Sequence, residues 1–340
     1  MRQALIPKYG PPETLTLVEK ADPRPKRGEV LIAVQASGVN FADIMARKGL
    51  YAEAPKPPMV VGYEVSGTVA AVGEDVILFE EGQEVIALTR FNGYADKVCA
   101  PHEQVFIKPD KLSFAQAAAI PVNYLTAYQL MVTQGSLKSQ ESVLIHNAGG
   151  GVGLAALDFA TELGALSYGT ASAHKGEFLK ERGLSYFIDY RKEDWFAQLM
   201  DLTMQQGVEL ILDPLGANNW KKSYKALRAT GRLGLFGVSS MTKSGLPRAL
   251  AQLREVINMP FYHPIALLNA NRSVFGVNLG RLWHEGAKIR GWMQNILAGV
   301  KKGWIRPHVG KIFPLAEAGA AHQFIEQRKN IGKVILSMEA

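Results

Sequence analysis

The chain of 340 residues contains a single cysteine, Cys99. One thiol excludes an intrachain disulfide and any zinc site built from several cysteines. It also fits a reducing compartment, so a cytoplasmic location is expected. No apolar run reaches the roughly 20 residues needed to cross a bilayer. The opening segment MRQALIPKYGPPE has none of the apolar core of a secretory signal. The formal net charge is +7, yet no long block of like charges occurs. Without such a block or a recognisable nucleic-acid motif, the basic balance reads as a solvated surface that favours anionic ligands, and nucleic acid is not expected as a partner. Internal repeats and low-complexity segments are also missing. The apolar fraction of 47% and the charged fraction of 20% are those of an ordinary folded protein, and the length suggests two domains, each with its own core.

What is present in abundance is glycine, 33 residues in all, and four of the five residues from 149 to 153 are glycine. Residues Glu141 to Gly164 read ESVLIHNAGGGVGLAALDFATELG. A short apolar strand (Val143, Leu144, Ile145) runs into a glycine turn, and an apolar-periodic helix follows and stops at Gly164. Ala148, Gly150 and Gly153 match the spacing [G/A]-x-G-x-x-G, with further glycines at 149 and 151. Gly150 lets a backbone approach a pyrophosphate, Gly153 lets the helix lie close on its sheet, and the helix N-terminus offers N–H groups to an anion. Between a strand and a helix, this pattern predicts dinucleotide binding.

The rest of the chain divides around that motif. The first ~120 residues are β-rich, with strands expected at Glu29–Val39, Val60–Val72, Glu84–Leu88 and Val105–Lys108, a short helix at Phe41–Lys48, and Gly and Pro between them. From about Asn123 strands and helices alternate. Strands are expected at Val143–His146, Ala165–Thr170, Tyr186–Asp189, Val208–Asp213 and Arg232–Val238, with Gly164 and Gly183 as helix stops. That rhythm predicts an α/β, doubly wound parallel Rossmann sheet. Ser273–Asn278 is a candidate sixth strand. Helices near Leu282–Lys302 and Leu315–Arg328 and a strand at Lys333–Ser337 are expected to return to the first domain. The long stretch Ser239–Arg272 carries Leu246, Leu250, Leu253, Val256 and Ile257 near helical spacing before a Pro260–Pro264 break. It reads as a helical insertion packed over a cleft, with a lid or membrane-touching element as the alternative.

The second strand of the alternating part indicates which dinucleotide. An acidic residue ~20 residues after the glycines would hold a ribose 2′-hydroxyl. Here Ser172 and Lys175 stand in that region, and no carboxylate appears before Glu177. A hydroxyl and a cation suit a 2′-phosphate. Tyr190 stands at the end of the third strand, where it would stack beside the site, and Arg191 adds positive charge. The expected cofactor is NADPH.

Several segments in order, GVNFADIMARKGLY (Gly38–Tyr51), VVGYEVSGTVAAVG (Val60–Gly73), HNAGGGVG, GTASAHK, IDYR and IGKVIL, resemble the zinc-free quinone oxidoreductase branch of the medium-chain dehydrogenase/reductase superfamily. TASAHK, FIDYRKED and VFGVNLGRLW are most similar to its vesicle amine transport protein-like group. The resemblance implies a GroES-like, mainly β catalytic domain over 1–122 and 273–340 and a nucleotide domain over 123–272. Zinc-bearing relatives hold their metal through a Cys in G-V-C and a His in G-H-E. The matching residues here are Asn40 and, in Gly62-Tyr63-Glu64, Tyr63, a set unsuited to tetrahedral zinc, so no metal is expected.

By the same resemblance the cofactor would lie in a cleft between domains. Gly150, Gly151 and Val152 would meet the pyrophosphate, and Ser172, Lys175 and Tyr190 the 2′-phosphate. Arg328 would approach the nucleotide, Asn123 and Thr126 would line the nicotinamide, Phe236 and Val238 would cover the rings, and Val277 and Asn278 would face the carboxamide. Asn40 and Tyr51 would polarise the substrate oxygen, Tyr51 also giving a proton. Asp43, Glu64 and His146 are expected to be structural. The implied activity is NADPH-dependent reduction of quinones or α,β-unsaturated carbonyl compounds by a homodimer. The alternative is a nucleotide-sensing protein with little reductase activity that binds lipid or makes a weak contact with an anionic membrane surface through Arg248, Arg254 and Arg272.

Overall fold

Strand-forming, β-branched runs build two separate sheets, each at the heart of its own unit. A computed structural model describes residues 1–242, 250, 253 and 256–339. It divides into one unit of Met1–Leu125 with Leu279–Ala340 and another of Thr126–Asn278.

In the first unit, seven strands run in the order Val309–Pro314, Lys333–Ser337, Glu29–Val39, Glu64–Val72, Glu84–Leu88, Val105–Ile107, with Lys97–Pro101 paired to Glu29–Val39 off that path. Arg2–Leu5 and Thr16–Glu19 form a small antiparallel ribbon. Glu29–Val39 is the hub: it pairs antiparallel with Glu64–Val72, Lys97–Pro101 and Lys333–Ser337. The core beneath it includes Ile32, Val34, Val65, Val85, Val98, Phe313 and Leu336. The return of the C-terminal segment is direct, since Ile335 is in register with Gly38 and Val334 with Val39. The sequence pattern places the strands at Glu29–Val39 and Glu84–Leu88 at their observed bounds. It misses Lys97–Pro101 and Val309–Pro314, whose short runs contain Lys and Pro.

In the second unit six parallel strands stand in the order Tyr186–Asp189, Leu166–Ala171, Ser142–His146, Val208–Asp213, Leu227–Leu235, Ser273–Gly276. The order reverses direction at Ser142–His146, so the crevice at its C-terminal end is where a ligand is expected in an open α/β sheet. Leu144, Ile188, Leu199, Ile211 and Leu233 are fully buried in its core. The glycine stops behave as their sequence suggests: Gly164 (φ 66°) closes the helix Gly151–Leu163, and Gly183 (φ 100°) follows the helix Gly176–Glu181.

Two expectations need correction. Ser273–Gly276 is hydrogen-bonded in register to Arg232–Leu235, so the return to the first unit falls after Asn278 and not at 273. The other boundary lies inside the helix Pro121–Tyr128 and not at 122/123. The second correction concerns Ser239–Arg272. Leu250, Leu253 and residues 256–258 are helical, and a helix Pro264–Ala270 starts where Pro264 supplies the first-turn residue. Leu250, Leu253, Val256, Ile257, Phe261, Ile265 and Leu268 are all exposed, so these apolar side chains are not packed as an ordinary insertion would be. Leu246, Arg248 and Arg254 lie outside the described residues.

Candidate functional site

The glycine turn is shaped for close approach. The helix Gly151–Leu163 begins at Gly150 with no side-chain cap, leaving its first-turn N–H groups without intrahelical acceptors. A Cβ at Gly153 would stand 2.5 Å from the carbonyl oxygens of both Asn147 and Ala148, so the helix can close on the turn only with glycine there. A Cβ at Gly150 would stand 2.6 Å from the Asn147 amide nitrogen, and one at Gly149 would stand 2.6 Å from Cδ of Lys175. Gly149 thus gives passage to the Lys175 stem, and Lys175 is 3% exposed although it is a lysine. Ser172, also buried, lies 3.3 Å through Oγ from Nδ1 of His174. Parallel register between Ala171 and Asp189 carries Ser172 and Tyr190 off adjacent strand ends. The residues present therefore fit a phosphorylated dinucleotide: first-turn amides without intrahelical acceptors, then a hydroxyl, an ammonium and an aromatic residue off the adjacent strand ends.

Below the turn, His146 is fully buried. Its Nδ1 is 2.9 Å from Thr170 Oγ1 and its Nε2 is 3.2 Å from Ser223 Oγ, which donates to Asp213 at 2.7 Å. Burial lowers its pKa and so favours the neutral ring in this polar core. Phe236 and Val238 are half-buried and lie beyond the strand, which ends at Leu235; the expected strand end at Val238 is too late. Val277 is buried and Asn278 exposed just after the edge strand. Thr126 is buried in this same unit, whereas Asn40, Tyr51, Asn123 and Arg328 belong to the other.

In that other unit, Asn40 ends the hub strand and caps the helix Phe41–Arg47 by a capping box with Asp43. Its amide nitrogen donates to Glu64 Oε1 at 2.9 Å and to the Gly38 carbonyl at 3.3 Å, and its oxygen accepts from Lys333 Nζ at 2.6 Å. Both amide hydrogens are spent inside the protein. The donor role toward a substrate oxygen expected of Asn40 is therefore not one that this arrangement allows; Asn40 is a buried strut. Lys333, 3% exposed, forms an ion pair with Glu64, whose second oxygen accepts the Val122 N–H at 2.7 Å. A Cβ at Gly38 would collide with Glu64, Lys333 and Ala118, so the strand needs glycine to admit this pair.

Asp43 accepts from the backbone N–H of Asn40 (2.8 Å) and Gly62 (3.0 Å) and from the Tyr94 hydroxyl (3.0 Å). Burial nevertheless raises its pKa to about 7. The chain of bonds continues from Tyr94 to Nε2 of His322 at 3.0 Å, while Arg47 donates to His322 Nδ1 at 3.2 Å, to the Gly10 carbonyl at 2.6 Å and to Glu326 at 2.8 Å. Arg47 fixes the tautomer: Nδ1 must accept, so Nε2 carries the hydrogen. Burial, with Arg47 and Lys48 nearby, lowers the His322 pKa to about 3. Asp43 and Glu64 are thus both held in buried hydrogen-bond networks. Sequence reading missed Arg47, Tyr94, His322 and Lys333; the one signal was a lysine opening the otherwise apolar run KVIL.

Tyr51 is half-buried, and burial followed by the Glu53 charge raises its pKa to about 12, so it is a phenol at ordinary pH. Its ring meets Tyr63 edge-on at 6.1 Å between centroids. Asn123 is buried and donates to the Ala119 carbonyl at 3.0 Å. Arg328 adopts φ 59° just past the helix Ala318–Glu326 and is half-buried. Among the described residues no group of three His, Cys, Asp or Glu side chains is arranged to hold a metal, and no helix is long and apolar enough to cross a membrane.

Comparison with known proteins agrees with this architecture. A family model for the alcohol dehydrogenase GroES-like domain matches residues 26–127, and one described as zinc-binding dehydrogenase matches residues 182–336. The chain is 35% identical over 340 residues to the synaptic vesicle membrane protein VAT-1 homolog of Danio rerio, covering 99% of this chain and 70% of that one. Among solved structures, Escherichia coli quinone oxidoreductase complexed with NADPH superposes with a TM-score of 0.86 at 28% identity, covering 99% of this chain and 100% of the other. The CurK enoyl reductase gives a TM-score of 0.85 at 29% identity over 99% of this chain and 98% of its own. The chain belongs to the medium-chain dehydrogenase/reductase superfamily of oxidoreductases, near the VAT-1 homologues and the quinone oxidoreductases.

Proposed function

We propose that this protein is a zinc-independent, NADPH-dependent oxidoreductase, homodimeric, that reduces quinones or α,β-unsaturated carbonyl compounds. The observation that carries this reading is the uncapped glycine turn with buried Ser172 and Lys175 beside it, on a stretch that holds no carboxylate between Ala165 and Gly176. The NADPH-bound quinone oxidoreductase and the enoyl reductase among the structural neighbours support it. When bound, NADPH supplies the hydride. The protein's part is to orient and to stabilise charge. Ser172, Lys175 and Tyr190 hold the 2′-phosphate, the first-turn amides of Gly151 and Val152 take the pyrophosphate, and Arg328 is assigned to the nucleotide. Asn123, Thr126, Phe236, Val238, Val277 and Asn278 are the proposed nicotinamide surroundings. Tyr51 donates to the substrate oxygen and gives it a proton; Asn40 holds the local backbone instead of sharing that task.

Zinc independence is supported by the donors themselves. Both Glu64 oxygens are engaged by Lys333, Asn40 and Val122, the Asn40 oxygen is engaged by Lys333, and Tyr63 is a buried phenol whose pKa burial drives far upward. An ammonium already neutralises the carboxylate that a cation would need. The test is calorimetric titration with NADPH and NADH, followed by NADPH oxidation with a quinone and enone series. Tight NADPH binding, weaker NADH binding and turnover with at least one acceptor are expected; the absence of both binding and turnover sinks the reading.

A second reading rests on a separate observation. Val256, Ile257, Phe261, Ile265 and Leu268 expose apolar surface in one segment, with Lys221, Lys225 and His263 beside Phe261 and Tyr262 around a recess of about 250 Å³. The Danio rerio relative carries the name of a vesicle membrane protein. Contact with an anionic membrane would use this segment. Flotation with anionic liposomes at physiological salt checks it, and protein left entirely in the bottom fraction counts against it.

A further inference from the structure

Tyr63 stands where zinc-bearing relatives place a ligand, and its surroundings hold it firmly. Gly62 before it has φ 106°, and a Cβ there would meet the Tyr94 ring and backbone within 2.7 Å, so the turn tolerates only glycine. Gly62 N–H donates to Asp43, the Gly62 carbonyl accepts from Thr89 Oγ1 at 2.9 Å, and the Tyr63 carbonyl accepts from Thr89 N–H at 2.8 Å. The Tyr63 ring is clasped between Tyr51 at 6.1 Å and 89° and Phe91 at 5.3 Å and 55°. The residue is 8% exposed, and its hydroxyl is buried without a hydrogen-bond partner. A buried hydroxyl left unpaired is costly and calls for an explanation.

The neighbouring phenol supplies one. Tyr63 favours the ionised form of Tyr51 through its hydroxyl, working against burial, Glu53 and Asp43, while Arg281, paired with Glu53, acts in the same sense as Tyr63. Tyr63 itself stays protonated, because burial and the Asp43 and Tyr51 charges all oppose its ionisation. It is therefore always a donor.

Building on the reductase reading above, we propose that Tyr63 is a positioning residue whose buried hydroxyl waits to donate a hydrogen bond to the Tyr51 oxygen as Tyr51 surrenders its proton. In that step the substrate, having gained hydride from NADPH, carries negative charge on oxygen. The Tyr51 O–H bond breaks, the proton forms the new O–H bond on the substrate, and the electron pair stays on Tyr51 as a phenolate. Tyr63 stabilises that phenolate until water returns a proton to it. The orphaned hydroxyl is thus satisfied in the charged state and unsatisfied at rest, which places its stabilisation where the reaction needs it.

The test reads Tyr51 directly and does not depend on turnover. A fluorinated tyrosine placed at position 51 brings the phenol pKa into an accessible range, where phenolate absorbance reports it. Tyr63→Phe is expected to raise that pKa by about one unit, a tenfold loss of phenolate stabilisation. NADPH affinity and thermal midpoint should hold or rise slightly, since only an unpaired hydroxyl is removed. An unchanged position-51 pKa in Tyr63→Phe overturns the proposal whether or not the protein reduces quinones. With a working acceptor, the same variant should lower kcat about tenfold, leave KM in place and enlarge the solvent deuterium isotope effect. Equal kcat and isotope effect in parent and variant would also overturn it. A protein that shows the pKa shift but oxidises no NADPH would retain the phenol pair and lose only the reductase reading.

Discussion

Lys175 is a buried ammonium laid over Gly149, and the nearest acidic residue in sequence is Glu177. Replacing it by Ala removes the charge proposed to face a 2′-phosphate. Calorimetry should then show NADPH affinity reduced at least tenfold, about 1.4 kcal/mol, with NADH affinity unchanged. Equal losses for both nucleotides would place Lys175 elsewhere. Asp43 and His322 make a pair of opposite pH sensitivities. His322 has a folded pKa of about 3 against 6.5 for the free side chain, so the unfolded chain binds the extra proton and stability falls as pH drops from 6.5 towards 3. Asp43 has a folded pKa of about 7 against 3.8, so the folded chain binds the extra proton and stability rises as pH drops from 7 towards 4. The two slopes oppose each other between pH 7 and 5. Urea unfolding should show His322→Gln gaining stability relative to the parent on acidification from pH 7 to 5, and Asp43→Asn losing it more steeply than the parent. Parallel pH profiles for all three proteins would disprove the assignment.

The helix Gly151–Leu163 depends on how closely its first turn lies on the preceding strand. Gly153→Val would drive a side chain into two carbonyl oxygens only 2.5 Å from its Cβ. Overpacking of this kind costs about 1–3 kcal/mol and should displace the amides proposed to meet the pyrophosphate. Denaturant unfolding should report the lost stability and calorimetry a collapse of NADPH affinity; a variant equal to the parent in both would contradict the proposed role of the turn. Strand bounds show where such reasoning weakens. Leu227–Leu235 pairs with Val208–Asp213 at Val208↔Leu227 and then at Leu210↔Arg232, so several residues around Thr230 (φ 66°) bulge from the ladder. Arg232 was legible as a strand start because the apolar run begins there; the earlier pairing at Leu227 is made by the neighbouring strand and leaves no local pattern.

Among the described residues the six-stranded sheet ends at Ser273–Gly276, an edge that invites pairing. A two-fold dimer should therefore show twice the chain mass in light scattering at micromolar concentration, and a monomeric mass would dispose of the homodimer. The division of the chain into a β-rich part and an alternating part was legible because strand and helix periods differ, as was the glycine turn, since no other residues fit its backbone approaches. The family resemblance pointed to Asn40 and Tyr63 at the positions where zinc-bearing relatives carry Cys and His, and the amino-acid order shows no acid between Ala165 and Gly176. Tertiary structure decided the rest. Asn40 reads as a donor in sequence, but Lys333, far along the chain, returns beside it with Glu64 and occupies its amide and carbonyl. Tyr63 reads as a lost ligand until the fold sets its ring edge-on to Tyr51 and buries its hydroxyl without a partner. Local sequence sets backbone conformation and periodicity, whereas the availability of a polar group for chemistry depends on which distant residues reach it first.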